Sequence, residues 1–172
     1  NGSNALVSTD GTSWSIQAAY AGKDVAYDAK NQVTSQGVTY TVAIAGDNAA
    51  NYNLNSTDTA TQTLAATGTI NPLGITANFG TVTKTYDGTT SVPSDQIQFQ
   101  SMSGVITGDT VELAKGTGFA AAYHSRNVNG DADGKNWVDY TGLALTGASS
   151  KNYKLVNASG TEVTAATGAG VI

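Results

Sequence analysis

The segment at residues 129–134 carries the side chains best suited to hold a metal ion. Its sequence, Asn-Gly-Asp-Ala-Asp-Gly, places oxygen donors at alternate positions, on Asn129, Asp131 and Asp133. This spacing is similar to the start of a calcium-binding loop, because Ca²⁺ is held by oxygen ligands. The twelfth position of such a loop, where a bidentate glutamate is expected, is Tyr140. The sequence therefore leaves two interpretations, a calcium site or an ordinary polar turn, and neither implies catalysis.

Residues for acid–base or nucleophilic chemistry are few and poorly spaced. His124 is the only histidine, and its neighbour Ser125 would point to the opposite face of a strand. A Ser-His-Asp triad is therefore not expected. The acidic residues are numerous enough for a glycosidase, but nothing in their spacing fixes two carboxylates at the separation that this reaction needs. We expect no enzymatic activity and no cofactor other than calcium, and keep a fragment of a carbohydrate-active enzyme as the second alternative.

Aromatic side chains offer a different chemistry, the stacking of sugar rings. Flat rings with polar edges suit carbohydrate faces. The candidates are Trp14, Trp137, Tyr20, Tyr27, Tyr40, Tyr123 and Tyr140. Core packing explains each of them more simply, and Trp137 and Tyr140 would lie on opposite faces of a regular strand.

Composition narrows the class of protein that positions these residues. Only 12% of the residues are charged, and the net charge is -5, so a nucleic-acid partner is not expected. Cysteine is absent, which excludes disulfides and thiolate metal sites. No apolar run in this segment is long enough to span a membrane. Abundant Thr, Asn and Gly favour β-strands joined by turns.

The strands are organised around the stretch Thr-Lys-Thr-Tyr-Asp-Gly-Thr-Thr at residues 83–90. Tyr86, Asp87 and Gly88 predict a strand that enters a tight turn, because Asp and Gly tolerate the backbone that such turns need. Asp87 is therefore interpreted as a turn residue rather than an acid. The alternating segments on either side of Gly80, residues 75–79 and 81–86, predict a hairpin.

Three short stretches recur in the same order in the second half of the chain. The matched pairs are residues 51–54 with 152–155, 65–68 with 165–168, and 26–31 with 122–127, at separations of 101, 100 and 96. The third match pairs Tyr27 with Tyr123. A period this long does not suit a solenoid and is typical of consecutive modules.

We therefore expect two modules, residues 1–71 and 72–172. The first has no Tyr-Asp-Gly start, so we interpret it as the C-terminal part of a preceding repeat or as a shorter related β module. Asn152 and Tyr153 stand where a turn enters a strand in the second. A tyrosine there is expected to bond back to the backbone, as a tyrosine corner does in sandwich folds.

An ordered set of motifs in the second module resembles a known family. The set comprises residues 86–90, 104–113, 118–120 and 142–148, followed by Asn152 and Tyr153. Together they are similar to the YDG-type repeat of large bacterial surface and exported adhesins, such as filamentous-haemagglutinin-like exoproteins. The resemblance implies an extracellular module on the bacterial cell surface, with neighbouring repeats of the same chain as its partners.

These observations predict an all-β chain of tandem Ig-like sandwich modules. A β-grasp-like module is the alternative if residues 120–126 form a short helix. The expected function is a non-enzymatic stalk or spacer that extends or presents a distal binding region. The first alternative is an adhesive module that itself binds a glycan or a host protein.

Overall fold

The computed structural model describes residue 9 and residues 11–54, 61–128, 130 and 136–172, and nearly all of their regular structure is β-strand. Helix among these residues is limited to three single 3₁₀ turns, Ala49–Asn51, Ser94–Gln96 and Ser150–Asn152. The all-β prediction is therefore confirmed. Contacts divide the chain into two compact units, residues 1–71 and residues 72–172.

The first unit contains a three-stranded antiparallel sheet of order β1-β2-β3. Its strands are β1 (Ser13–Tyr20), β2 (Gln36–Ala45) and β3 (Thr61–Gly68). The apolar residues of β2 alternate along the strand, so they share one face of the sheet. Directly paired residues lie on the same face, and the apolar residues of β1 therefore join those of β2.

The second unit contains two sheets. Its strands are β4 (Leu73–Phe79), β5 (Val82–Thr83), β6 (Phe99–Ser103), β7 (Glu112–Tyr123), β8 (Asn136–Thr146), β9 (Tyr153–Leu155) and β10 (Ala166–Val171). One sheet has the order β5-β10-β8-β7 and the other the order β6-β4-β9. The pairs β5–β10 and β4–β9 are parallel, and the remaining pairs are antiparallel.

The core of the second unit contains residues from both sheets. Val138 and Tyr140 of β8 are fully buried, and Phe79 of β4 stacks on Tyr140 with ring centroids 4.2 Å apart. Phe99 of β6 meets Phe79 edge to face at 5.7 Å. Burial of these rings supplies the main stabilisation of a unit that has no disulfide.

The hairpin predicted around Gly80 is wrong. β4 pairs with β6 and β9, whereas β5 pairs with β10 of the other sheet. Gly80 lacks the positive φ that a tight two-residue hairpin turn would use. The chain therefore continues forward through Gly80 and passes from one sheet to the other.

The helix on which the β-grasp alternative depended is also absent from the described structure. Residues 120–123 belong to β7, where Ala120, Ala121 and Ala122 pair with Thr141, Tyr140 and Asp139 of β8. Alanine favours helices only weakly, and sheet pairing overrides that preference here. The ambiguous segment is thus the end of a long strand that bulges between Lys115 and Ala120.

The two units repeat one sheet, in which β1, β2 and β3 correspond to β7, β8 and β10 in order and direction. Tyr20 pairs with Val38 in the first unit, and Tyr123 pairs with Val138 in the second. Tyr123 therefore corresponds to Tyr20, 103 residues earlier, and the match of Tyr123 with Tyr27 is wrong. The match of residues 65–68 with 165–168 is also out of register, by two residues, since Val38 pairs with Ala66 and Val138 with Gly168. Identity over a few residues does not predict strand register, which long-range pairing sets.

Leu143→Ala tests the position of the core. Leu143 is 4% exposed, so its loss should lower the free energy of unfolding of the second unit by about 2–5 kcal/mol. Leu64→Ala is the matched control, because Leu64 is 49% exposed and should cost much less. Urea denaturation followed by near-ultraviolet circular dichroism measures both variants. Equal losses would contradict the placement of the core.

Candidate functional site

The Tyr-Asp-Gly motif is a turn closed by the side chain of Asp87. Its Oδ1 accepts hydrogen bonds from the backbone nitrogen of Thr89 and from the Thr89 hydroxyl, both at 2.9 Å. Gly88 has a φ of +76°, which favours glycine. Asp87 thus mimics a backbone acceptor in the turn, as aspartate often does.

Lys84 is mostly buried and locks this turn, which means that it holds the turn closed through hydrogen bonds. The sequence alone did not predict this role. The Nζ of Lys84 donates to Oδ1 of Asp87 and to the carbonyl oxygen of Thr89, both at 2.7 Å. The Lys84 side chain is only 5% exposed, although Asp87 is half exposed. The signal in the sequence was a lysine three residues before the aspartate. The structural motif therefore spans residues 84–89 rather than the three residues of the turn.

Hydrogen bonds to its carboxylate, above all the one from Lys84, lower the pKa of Asp87. The hydrogen bond from Lys84, followed by those from Thr89, lowers the pKa of Asp87 from 3.8 to about 2. A carboxylate held in its charged form in this way stabilises the fold most where it is fully ionised.

Tyr123 connects the locked turn to the core. Its hydroxyl lies 2.9 Å from the carbonyl oxygen of Val82 and 3.1 Å from that of Val171, to which it can donate. The Nζ of Lys84 lies 5.3 Å from the centre of the Tyr123 ring, a cation–π distance. Burial, and to a lesser extent the neighbouring Tyr140, raises the pKa of Tyr123. The tyrosine therefore stays neutral and holds β5 against β10.

Tyr153 forms a similar anchor through its hydroxyl in the sheet β6-β4-β9. Its buried hydroxyl donates to Oδ2 of Asp109 at 2.5 Å and accepts from the backbone nitrogen of Ile106 at 3.1 Å. Asn152 ends the 3₁₀ turn that leads into this strand, and its backbone nitrogen donates to the carbonyl oxygen of Ser149. The hydroxyl thus bonds to backbone, as expected, although in the loop before β7.

A polar aromatic cluster lies on β8 and at the end of β7. The rings of His124 and Trp137 stack with centroids 3.9 Å apart. Asp139 accepts from Nε1 of Trp137 at 2.9 Å, and its other oxygen lies 3.2 Å from Nδ1 of His124. Ser125 is buried, and its hydroxyl oxygen accepts from the backbone nitrogen of Asn127 at 3.2 Å. The Ser125 hydroxyl is thus engaged with the backbone of the loop that follows β7.

The calcium candidates Asn129, Asp131 and Asp133 lie outside the described residues. Tyr140, at the twelfth position of that pattern, is buried in the core, and Asp139 beside it bonds to Trp137. Within the described ranges, no group of three or more histidine and acidic residues is placed to hold a metal ion.

The described residues contain a surface groove of about 450 Å³, lined by β6 and by residues 111–113. Among the described residues that line it, Glu112 is the one carboxylate, so those residues do not offer the pair of carboxylates that glycoside hydrolysis uses. No helix in the described part of the chain has the length and apolar character needed to cross a membrane.

Asp87→Asn tests the lock through its pH dependence. Asparagine keeps an acceptor for Thr89 but removes the charge that faces Lys84, so the Tm of the variant should be lower at neutral pH. The folded pKa of about 2 lies below the ordinary 3.8, so this advantage of the wild type is complete above about pH 4. It should disappear as the pH falls towards 2. Thermal scans from pH 7 to pH 2 measure the difference.

Asp95→Asn is the control for that experiment, because Asp95 is an exposed carboxylate on the Ser94–Gln96 turn. Its Tm should stay close to that of the wild type throughout. A deficit of Asp87→Asn that persists unchanged at low pH would contradict the ionic role of Asp87.

Tyr153→Phe tests the second anchor. Loss of the hydroxyl leaves Asp109 and the amide of Ile106 without this partner, and we expect a loss of about 1–3 kcal/mol in unfolding free energy. Tyr86→Phe is the matched control, since Tyr86 is exposed. Chemical denaturation of both variants gives the comparison, and a Tyr153→Phe loss no larger than the control would refute the anchoring role.

Comparison with known proteins identifies the second unit. The YDG domain family matches residues 69–165. The matched range contains the turn locked by Lys84, the cluster around Trp137 and the anchor at Tyr153. No curated protein and no solved structure gives a significant match to the chain. Because the family match covers more than half of the sequence, the chain belongs to the YDG domain family.

Proposed function

We propose that the chain is a stalk segment of a bacterial cell-surface adhesin, a non-enzymatic spacer that extends or presents a distal binding region. The observation that carries this proposal is the repetition of one sheet, since β1-β2-β3 in the first unit recurs as β7-β8-β10 in the second. Consecutive copies of one module along a chain are typical of proteins whose length serves their function.

The use of the motif residues supports a mechanical rather than a chemical role. Lys84, Asp87 and Thr89 bond to one another, and Tyr153 bonds to Asp109, so these polar groups are engaged in folding. The net charge of -5 suits a module that stays soluble and does not associate with other molecules. The proposal includes a location at the bacterial surface, with neighbouring repeats of the same chain as partners.

We also propose that a complete module is an Ig-like sandwich. Support comes from the two sheets that share one aromatic core and from the passage of the chain between sheets after β4. The parallel pairs β4–β9 and β5–β10 are departures from a purely antiparallel arrangement.

A second candidate function, binding of a glycan or host protein, is favoured by the cluster of His124, Trp137 and Asp139. An aromatic ring beside a carboxylate offers both stacking and a hydrogen-bond acceptor to a sugar. One face of the Trp137 ring is already stacked on His124, which reduces the surface left for a ligand.

Surface display tests the stalk role. One, two or four copies of the chain are placed between a membrane anchor and a known binding domain, and the reach of that domain is measured by single-molecule force spectroscopy. Reach should increase in proportion to the number of copies. The purified chain should bind nothing on glycan arrays.

A reach that does not depend on copy number would contradict the stalk role. Glycan binding lost in Trp137→Ala and retained in Trp14→Ala would instead establish the second candidate function.

A further inference from the structure

The first unit exposes one apolar face of its sheet. Trp14 is 63% exposed and Ile16 is 53% exposed, and Tyr20, Tyr40 and Leu64 are also exposed. Strand pairing places these five side chains on the same side, because Tyr40 pairs with both Ala18 and Leu64, and Ile16 lies two residues from Ala18. We call this set the open face. A contiguous apolar patch of this kind marks a surface that binds something.

The corresponding face of the second unit is buried. Tyr140 pairs with Ala121 as Tyr40 pairs with Ala18, so the two tyrosines are equivalent. Tyr140 is 1% exposed, whereas Tyr40 is 38% exposed. Tyr123, the counterpart of the exposed Tyr20, is also buried. Val38 and Ile44, at the two ends of this face of β2, are buried in the first unit, so only the part formed by the open face is uncovered. In the second unit the equivalent tyrosines are covered.

The cover in the second unit is the sheet β6-β4-β9, and its strands β4 and β6 supply the phenylalanines that reach the face. Phe79 stacks on Tyr140, Phe99 packs against Phe79, and Val82 lies in the same cluster. All three precede β7, and residues 104–111 connect the end of β6 to that strand. We call β4 and β6, which lie within residues 73–103, the covering layer. It reaches its sheet from the N-terminal side.

The backbone just before β1 makes the same kind of close contact with a glycine as the backbone just before β7. Gly46 has a φ of +117° and lies against the backbone of Gly11, just before β1. Gly147 has a φ of +105° and lies against the backbone of Thr110, just before β7. A side chain at either glycine would collide with that backbone. The two units thus share the entry of their first long strand as well as their sheet order.

We propose that the open face is the docking surface for a second covering layer, supplied in the same polypeptide by an N-terminal half-repeat of the YDG type ahead of β1. The occupant is a strand layer that carries aromatic residues equivalent to Phe79 and Phe99. The open face contains no charged residue, so apolar burial is the interaction it offers. This inference does not depend on the stalk role, and either can fail without the other.

One difference between the units affects how closely a covering layer could pack on the sheet of the first unit. Ala66 pairs with Val38 where Gly168 pairs with Val138. A Cβ atom added at Gly168 would lie 2.8 Å from the Cβ atom of Phe79. The aromatic residue that covers the first unit must therefore sit slightly farther from its sheet, or Ala66 must become glycine to accept a copy of the existing layer.

Trp14 fluorescence tests the proposal in the full chain. Trp137→Phe leaves Trp14 as the only tryptophan. A copy of residues 72–103 is joined ahead of Asn1 through a short Gly-Ser linker, with and without Ala66→Gly. We expect the Trp14 emission to shift to shorter wavelength and its acrylamide quenching constant to fall by roughly half or more, as the indole leaves water. The effect should be larger with Ala66→Gly.

The matched control carries the same added segment with serine in place of its two phenylalanines, the copies of Phe79 and Phe99. It should leave Trp14 as accessible as in the chain without an added segment. An unchanged Trp14 in both Ala66 and Ala66→Gly backgrounds would overturn the proposal. Sedimentation of the unextended chain as a dimer with Trp14 protected would also overturn it, because the occupant would then be a second copy.

Discussion

The second unit depends on the contact between Phe79 and Tyr140, which joins its two sheets. Without disulfides, the unit relies on burial of such rings to offset the entropy of ordering its chain. Phe79 can reach Tyr140 only because β4 and β5 lie in different sheets, so the passage of the chain through Gly80 determines where the core forms. The role of the Tyr-Asp-Gly turn follows from this passage of the chain between the two sheets.

The Tyr-Asp-Gly turn supports β5, the short strand that follows the passage of the chain between the sheets. β5 has only two residues, and such a strand pairs weakly by itself. The hydroxyl of Tyr123 lies within hydrogen-bond distance of Val82 in β5 and of Val171 in β10, and the backbone nitrogen of Lys84 donates to the carbonyl oxygen of Val171. Burying most of the Lys84 side chain costs free energy unless its ammonium group has an anionic partner, and Asp87 is that partner. Lys84, Asp87 and Thr89 are thus explained by folding.

Apolar and polar residues that alternate along the chain were sufficient to predict the all-β class and strands such as β2. Such alternation is the direct signature of a strand with one buried face. It could not predict that the segments around Gly80 enter different sheets, since this depends on partners about 20 and 90 residues away in sequence. Lys84 was missed for a related reason. A lysine beside a turn is ordinarily solvated, and its burial follows from the position of Tyr123.

The parallel pairing of β5 with β10 has a mechanical consequence. β5 lies near the start of the second unit and β10 ends it, and they are hydrogen-bonded side by side in the same direction. Tension between the ends of the unit would slide these strands past each other instead of peeling them apart. The bonds that join them, including the one from Lys84 to Val171, would then share the load and have to break together.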